Sequence, residues 1–177
     1  MTATPILTTE RLCLRAPHAA DTDAILAFLG SDRADFYGGP MDLGTAWHKF
    51  SAYVGQWTLA GYGLFAVTLK DTNETIGLAG PHHPAHFPEP EMSWLIADAR
   101  FEGHGYATEA CRAVLDHYLT GQGWASLVSY IDRANHPSRA LAQRLGATKE
   151  ETGSVPIPNC DAYRHTAMGS PARLKQK

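Results

Sequence analysis

A glycine-rich turn stands directly before a long amphipathic stretch, and its residue types suit the binding of an anion. Gly103 and Gly105 flank His104, and helical periodicity begins near Tyr106. The first amides of a helix that follows such a turn lack backbone partners, and with the positive end of the helix dipole they form a site for a phosphate or pyrophosphate. Arg100 adds a positive charge that a phosphate can share. Glycines needed only for a strand–helix turn would give the same local pattern, so both interpretations stay open here.

The helix after this turn is indicated by apolar residues at helical spacing. They recur at i, i+3, i+4, i+7, i+8, i+11 and i+12 over Ala107, Ala110, Cys111, Val114, Leu115, Tyr118 and Leu119. Gly121 and Gly123 supply the end of the helix, and a strand is predicted over 91–97. The dinucleotide-binding fingerprint fits poorly, because Thr108 stands where that motif has its third glycine. A nucleotide-binding oxidoreductase is therefore disfavoured.

Two separated motifs resemble the GNAT superfamily of N-acetyltransferases. The first, Arg100-x-x-Gly-x-Gly-Tyr-Ala-Thr-Glu-Ala, resembles the loop that binds the acyl-CoA pyrophosphate in that family. The second, Asn135-x-x-Ser138 followed by Leu-Gly146, resembles the family's other signature, a helix that ends in Leu-Gly. The resemblance implies acetyl-CoA as a cosubstrate and an amine as the acceptor.

Two further stretches resemble the RimJ/RimL-like branch, which acetylates the N-termini of ribosomal proteins. Thr9-Glu-Arg-Leu-x-Leu-Arg15 opens the match, and Tyr163-Arg-His165 closes it. The resemblance thus covers nearly the whole chain. It leaves the acceptor open between a protein N-terminus and a small-molecule amine.

The resemblance also implies which residues bind acetyl-CoA. They are Leu95, Ile96, Arg100, Gly103, His104, Gly105, Tyr106, Ala107, Thr108, Asn135, Ser138 and Arg139. The backbone amides near Leu95 and Ile96 are expected to polarise the thioester carbonyl. Asn135 is expected to bind the pantetheine amides, and Arg139 either reaches the ribose phosphate or lies in solvent.

Two residues are candidates for proton transfer. Glu91 resembles in position a glutamate that relatives use to receive the ammonium proton, and Ser138 is the candidate donor to the departing thiolate, because positions 139–145 hold no tyrosine. Each also has a structural interpretation, as a solvated carboxylate and as a helix-start hydroxyl. No pattern of a covalent nucleophile stands out, which favours direct attack by the amine. The alternative function is a non-catalytic acyl-CoA-binding or regulatory module.

The acceptor side is indicated less directly. His82, His83 and His86 lie close together, but no cysteine and few carboxylates accompany them, so we predict no metal and a loop bordering the acceptor cleft. A stripe of large apolar residues predicts a core-facing helix over 42–60, and its members are Trp47, Phe50, Val54 and Trp57. In the resembling family this region forms a wall of the acceptor site, which would bring in Tyr37, Trp47 and Tyr53.

The predicted element order is β-α-α-β-β-β-α-β-α-β-β. It indicates a mixed, mostly antiparallel sheet with helices on both faces, an α/β or α+β fold. The resemblance adds that the strands near 91 and 125 splay apart to admit the pantetheine arm. We expect one N-acetyltransferase domain over 1–177, with a core at about 8–168 and a mobile tail at 169–177.

Composition narrows the partners and the compartment. A net charge of −3 without a basic run argues against a nucleic-acid partner. No apolar run approaches the ~18 residues that cross a bilayer, and no signal-peptide pattern opens the chain, which predicts a cytoplasmic protein without membrane association. The widely spaced Cys13, Cys111 and Cys160 fit reduced thiols. The oligomeric state stays open between a monomer and a homodimer.

Overall fold

The computed structural model describes residues 4–151 and 155–167, so the predicted tail at 169–177 lies outside the described residues. The strands are β1 (Leu7–Thr8), β2 (Leu12–Arg15), β3 (Phe65–Leu69), β4 (Thr75–His82), β5 (Glu91–Ile96), β6 (Leu127–Asp132), β7 (Thr148–Lys149) and β8 (Cys160–His165). The α-helices are α1 (Thr22–Leu29), α2 (Leu43–Ala60), α3 (Tyr106–Leu115) and α4 (His136–Arg144). In this part of the chain, no helix has the length and apolarity needed to cross a membrane.

The strands form one sheet in the order β1-β2-β3-β4-β5-β6-β8-β7. Every neighbouring pair is antiparallel except β5 and β6, which are parallel. The predicted mixed, mostly antiparallel sheet is therefore confirmed. The short strand β1 was not predicted, because two residues carry too little alternation to be recognised.

Helices cover both faces of the sheet, as predicted. Because side chains alternate along a strand, β3 contributes to two cores. Phe65 and Val67 pack with α3 and α4, whereas Leu64 and Ala66 pack with α1 and α2.

Helix α2 has the predicted bounds because both ends are specified locally. The carboxylate of Asp42 accepts a hydrogen bond from the Thr45 amide at 3.0 Å, and Gly61 ends the helix at a φ of +75°. The predicted apolar stripe was wrong in one respect. The buried face is centred on Ala46, Phe50 and Tyr53, and the side chain of Trp47 is 51% exposed.

The predicted helix after the glycine turn consists of two parts. The α-helical hydrogen bonds of α3 end at Leu115, and a π-helical turn, Asp116–Gly121, completes the helix. The apolar residues that defined the pattern are buried, except Ala107, which is half-buried. The periodicity therefore gave the correct face, although it could not reveal the change in hydrogen bonding.

A buried carboxylate fixes the start of α1 to the sheet. Asp21 is fully buried, and its two oxygens accept from Arg15 Nη1 at 2.8 Å and Nη2 at 2.9 Å. The amide of His18 and the hydroxyl of Thr75 donate to the same carboxylate, at 2.8 and 2.5 Å. These hydrogen bonds outweigh the cost of burial and lower the pKa of Asp21. Arg15 of the N-terminal motif thus has a structural role.

We expect Asp21→Asn to lower the free energy of unfolding by about 3–5 kcal/mol, because it leaves the charge of Arg15 without its partner. Since the folded-state pKa is lowered, the contribution of Asp21 is complete above the ordinary aspartate pKa of about 4 and is lost as the pH falls below it. Urea unfolding at pH 7 and pH 3 measures both effects. The control is Asp98→Asn, which breaks an exposed pair with Arg100 and should change stability little. Equal effects of the two variants would contradict this account.

Candidate active site

The site is built where β5 and β6 separate. The two strands share a single pairing, Glu91 with Val128. Beyond this pair, the strands are joined by hydrogen bonds between side chains and backbone instead of backbone pairs. The Ser129 hydroxyl donates to the Met92 carbonyl at 2.6 Å, and the Tyr130 amide donates to Glu91 Oε1 at 3.3 Å. The predicted splay of these strands is confirmed.

The larger of two cavities lies along the gap and the start of α3. Its volume is about 1680 Å³, which is larger than a typical small-molecule site. Gly105 is the residue before α3, has a φ of +81°, and offers no side chain to cap the first amides of the helix. The predicted ligand-binding residues in its wall are Leu95, Ile96, Gly103, Gly105, Tyr106, Ala107, Thr108, Asn135 and Ser138.

Three of the predicted residues do not reach the wall of this cavity. The Arg100 guanidinium is bound by the carboxylates of Asp98 and Glu74. The guanidinium of Arg139 donates to the Tyr163 hydroxyl and to a backbone carbonyl. The ring of His104 stacks on Tyr106, with centroids 5.9 Å apart. In each case the side chain contacts another group of the protein instead of the cavity. A linear motif does not reveal such contacts.

Four arginines that the sequence argument did not assign to binding line the larger cavity: Arg11, Arg33, Arg112 and Arg144. Arg112 and Arg144 are exposed, and neither meets a carboxylate within residues 4–151 and 155–167. Their positions on α3 and α4 place two exposed cations in the wall of the larger cavity. Helical spacing could have placed them on the outer faces of those helices, but not at one cavity.

Arg11 and Thr9 brace the first turn of α3. The Arg11 amide donates to Glu109 Oε1 at 2.9 Å, and Nε donates to Oε2 at 2.7 Å. The Thr9 hydroxyl also donates to Oε1, at 2.5 Å. The Arg11 guanidinium lies 4.4 Å from the centroid of the Tyr106 ring. The N-terminal motif therefore holds the helix end that faces the larger cavity.

Arg33 links a second segment to the end of β5. It lies in a 3₁₀-helical segment, Asp32–Tyr37, and donates to the carbonyls of Ile96 at 2.9 Å and Ala97 at 2.7 Å. It also pairs with Glu102 in the glycine turn. The loop that carries Phe36 and Tyr37 is thereby fixed against the wall of the larger cavity.

The smaller cavity, of about 670 Å³, adjoins the larger one across a shared wall. The residues that line both cavities are Phe36, Tyr37, Trp94, Asn135 and Ser138. The wall of the smaller cavity includes the aromatic side chains of Tyr53, Phe87 and Tyr130. Of the three residues that the resemblance implied for the acceptor site, Tyr37 and Tyr53 line this cavity and Trp47 does not.

Glu91 lies in the wall of the smaller cavity and is only 8% exposed. Burial raises its pKa to about 8, and the Tyr130 amide and the charge of Lys49 oppose the rise. The interpretation of Glu91 as a solvated carboxylate at a strand start is therefore wrong. A carboxyl group that changes charge near neutral pH can exchange a proton with a ligand.

The other polar groups around this carboxyl are constrained. Lys49 Nζ donates to the Tyr37 carbonyl at 2.7 Å, and burial lowers the pKa of this lysine. Burial also raises the pKa of both Tyr37 and Tyr53, so their phenols stay protonated near neutral pH. Glu91 is thus the buried group in this wall whose titration falls near neutrality, within the described residues.

The three clustered histidines have separate environments. The ring of His82 lines the smaller cavity, and His83 uses both ring nitrogens, towards the Tyr62 hydroxyl at 2.8 Å and the Phe87 carbonyl at 3.2 Å. His86 is exposed and its ring lies against Phe87. Among residues 4–151 and 155–167, no group of three histidine, cysteine or acidic side chains could hold a metal ion.

Comparisons with known proteins identify a family model and several similar chains. The family model for the acetyltransferase (GNAT) domain matches residues 11–148. The crystal structure of an acetyltransferase from Agrobacterium tumefaciens str. C58 is 36% identical, with a TM-score of 0.86 over 93% of this chain and 96% of that one. The uncharacterized protein YkkB of Bacillus subtilis (strain 168) is 29% identical over 86% of this chain and 90% of its own length.

A more distant likeness includes a bound ligand. The RimL ribosomal L7/L12 alpha-N-protein acetyltransferase in complex with coenzyme A is 16% identical, with a TM-score of 0.69 over 92% of this chain and 98% of that one. At this identity the likeness shows a shared fold.

Proposed function

The chain belongs to the GNAT acetyltransferase family, and from that premise we propose that it moves the acetyl group of acetyl-CoA to a primary amine. The family supports acetyl transfer from acetyl-CoA in general. An amine acceptor is supported by the two adjoining cavities, which share a wall. The buried carboxyl of Glu91 lines the smaller of them. Both substrates then bind together, and the amine attacks the thioester directly in a ternary complex.

On the donor side, acetyl-CoA occupies the larger cavity. The pyrophosphate lies at the start of α3, where Gly103 and Gly105 let it approach the backbone. The guanidinium groups of Arg100 and Arg139 already bind side chains of this chain. We therefore assign the further phosphate contacts to Arg112 and Arg144, which line the larger cavity. The pantetheine arm lies between β5 and β6, next to Asn135, whose Oδ1 already accepts from the Ser138 amide at 3.2 Å.

On the acceptor side, Glu91 is the general base. A peptide α-amine titrates near ~8 and an alkyl amine near ~10.4, so at pH 7 roughly one α-amine in ten is neutral, against about one alkyl amine in 2,500. An ammonium that enters the smaller cavity favours the ionised carboxylate and can pass its proton to it. The need for this base is therefore greatest with alkyl amines.

The leaving thiolate needs a proton or a hydrogen bond. Ser138 lines both cavities at the start of α4, which supports its role as a donor to the thiolate. The backbone amides near Leu95 and Ile96 would polarise the thioester carbonyl, since both residues line the larger cavity at the end of β5.

A covalent acetyl–enzyme route has little support among the cysteines. Burial raises the pKa of Cys111, which lies on the core-facing side of α3. Burial also raises the pKa of Cys160 to about 11, although this residue lines the smaller cavity. Because the thiolate is the nucleophile, a raised pKa disfavours attack by either residue. Direct attack by the amine remains the simpler mechanism.

We expect at least one primary amine to release CoA from acetyl-CoA faster than hydrolysis does. The experiment screens small alkyl and aromatic amines and short peptides with free N-termini, with a thiol reagent reading free CoA. The aromatic wall of the smaller cavity makes amines on an apolar body a reasonable first set. The matched control is the same panel with N-acetylated amines.

The alternative function, a non-catalytic acyl-CoA-binding or regulatory module, predicts a different result. Acetyl-CoA would bind and raise the thermal midpoint, but no amine in the panel would release CoA. That combination would contradict the proposed transferase.

A further inference from the structure

We propose that His82 is a second group that contacts the acceptor amine, and that Gln56 holds its ring in the tautomer that leaves Nε2 free to accept a hydrogen bond. This inference rests on the proposed function, because it concerns the same acceptor cavity. It differs from the assignment of Glu91, since His82 orients the amine and takes no proton from it.

The hydrogen bonds of Gln56 fix which of its amide atoms is the oxygen. Its Nε2 donates to two backbone carbonyls, those of Tyr62 at 3.2 Å and Pro81 at 3.1 Å. Its Oε1 accepts from the His83 amide at 3.1 Å. A carbonyl can only accept and an amide N–H can only donate, so a flipped side chain would lose all three hydrogen bonds.

The same amide then determines the tautomer of His82. The Nδ1 atom of His82 lies 3.3 Å from Gln56 Oε1, which can only accept. The proton of the neutral ring is therefore on Nδ1, and Nε2 carries a lone pair. Gln56 is a positioning residue in this arrangement.

The Nε2 atom of His82 is open to a ligand. Within the described residues it has no hydrogen-bond partner, and the buried side-chain polar atoms without partners there are Tyr118 Oη and His165 Nδ1. His82 Nε2 is thus accessible, and its ring lines the smaller cavity. It is an unused acceptor in the cavity that holds the proposed base.

The sheet register brings this acceptor next to that base. His82 on β4 is directly opposite Glu91 on β5, and side chains opposite each other in an antiparallel pair share a face. The rings of Tyr53 and Phe87 lie edge-on to the imidazole, with centroids 5.2 and 6.1 Å away. Two aromatic rings and the Gln56 amide therefore hold His82 in place.

The electrostatic surroundings keep His82 neutral. Burial lowers its pKa to about 4, and Lys49, His83 and His86 act in the same direction. A neutral imidazole of this kind accepts a hydrogen bond but does not store a proton. One N–H of the acceptor would therefore go to His82 Nε2, while the proton lost before attack goes to the Glu91 carboxylate.

The tautomer can be tested without knowing the acceptor. In protein with ¹⁵N-labelled histidine at pH 7, long-range ¹H–¹⁵N spectra should show His82 protonated at Nδ1, with its signals assigned by their loss in His82→Phe. Gln56→Leu should remove this preference. His165 is an internal control of the opposite tautomer, because its Nε2 lies 3.0 Å from Ser129 Oγ, whose proton goes to the Met92 carbonyl. A wild-type His82 protonated at Nε2 would overturn the proposal.

The amine contact is tested by kinetics with an acceptor from the amine screen. His82→Phe should lower kcat/KM by about 10- to 100-fold, with unchanged affinity for acetyl-CoA. His82→Gln, whose Oε1 can stand near the former Nε2, should recover part of the loss, and Gln56→Leu should lower kcat/KM in the same direction. His86→Phe, which changes an exposed histidine in the segment that follows β4, is the matched control.

Equal kinetics of His82→Phe and His86→Phe would overturn the amine contact. If no amine releases CoA at all, the proposed function fails and the amine contact fails with it. The spectra would still decide separately whether Gln56 sets the tautomer, so the two failures are distinguishable.

Discussion

Glu91→Gln should lower kcat on the order of 10²–10⁴-fold, the usual range for removal of a general base. The amide keeps the shape of the side chain and can still accept from the Tyr130 amide, but it has no basicity. The loss should be largest with alkyl amines, because so few of them are neutral at pH 7, and smaller with α-amines. Affinity for acetyl-CoA should barely change, because the carboxyl belongs to the smaller cavity.

The pH dependence gives this prediction its sharpest test. In the wild-type protein the active, ionised carboxylate increases as the pH rises through the Glu91 pKa of about 8. In the variant only the titration of the amine itself remains, so activity should keep rising towards the amine pKa, near ~10.4 for an alkyl amine. The measurement is a pH–rate profile of both proteins, with one acceptor of each amine class. Wild-type rates for the variant across the range would remove Glu91 from the mechanism.

Two controls separate loss of the base from loss of structure or of local charge. Because burial raises the folded-state pKa of Glu91 to about 8, the wild type loses stability as the pH rises from the ordinary glutamate pKa to about 8. A neutral amide does not titrate, so Glu91→Gln should be at least as stable as the wild type at pH 8 and above. Asp35→Asn removes an exposed carboxylate from the wall of the same cavity and should change kcat only a few-fold. A comparable loss in both variants would indicate an electrostatic effect of the cavity instead of proton transfer.

Much of the fold could be predicted because its signals are local. Asp42 and Gly61 specify the ends of α2 within a few residues, and the apolar spacing of α3 gave its buried face. The splay of β5 and β6 came from the resemblance alone. The hydrogen bonds that accompany the splay, from the Ser129 hydroxyl to Met92 and from the Tyr130 amide to Glu91, join segments that are distant in the sequence, and periodicity does not reveal such contacts.

The site was less predictable where an arginine side chain has several potential ligands or ion-pair partners. Arg100 stands in the motif, yet Asp98 and Glu74 bind its guanidinium. Arg112 lies outside both motifs, and Arg144 lies within the second one at a position to which the motif gives no role. Only the packing of α3 and α4 places both arginines at one cavity. A sequence shows that an arginine is present, but the nearest carboxylate depends on tertiary structure.

Gly105→Val should abolish the binding of acetyl-CoA while the protein still folds. Gly105 has a φ of +81°, which a β-branched residue rarely adopts, so the substitution strains the turn before α3. Space within the protein is not limiting, because an added Cβ would meet Arg11 Nη2 at an ordinary 3.6 Å. The new side chain would instead occupy the larger cavity, where the pyrophosphate needs the helix amides.

Gly123→Val separates the effect on the ligand from the backbone strain. Gly123 also has a positive φ, of +71°, with no atom within 4 Å of an added Cβ, and it does not line the larger cavity. Both variants should therefore lose stability through strain, but only Gly105→Val should lose the ligand. Comparing ligand binding by the two variants therefore separates loss of the ligand site from the strain that any side chain causes at a positive φ.

The measurement is the thermal midpoint with and without ligand. A ligand at ~100 times its dissociation constant adds about 2.7 kcal/mol, which corresponds to roughly 5–11 °C for a chain of this size. We expect this shift with acetyl-CoA for the wild type and Gly123→Val, none for Gly105→Val, and none with NAD for any of them. Normal acetyl-CoA binding by Gly105→Val would mean that this glycine serves the turn alone. An equal shift with NAD would mean that the start of α3 binds a pyrophosphate in either molecule. That result would contradict selective binding of acetyl-CoA in the larger cavity.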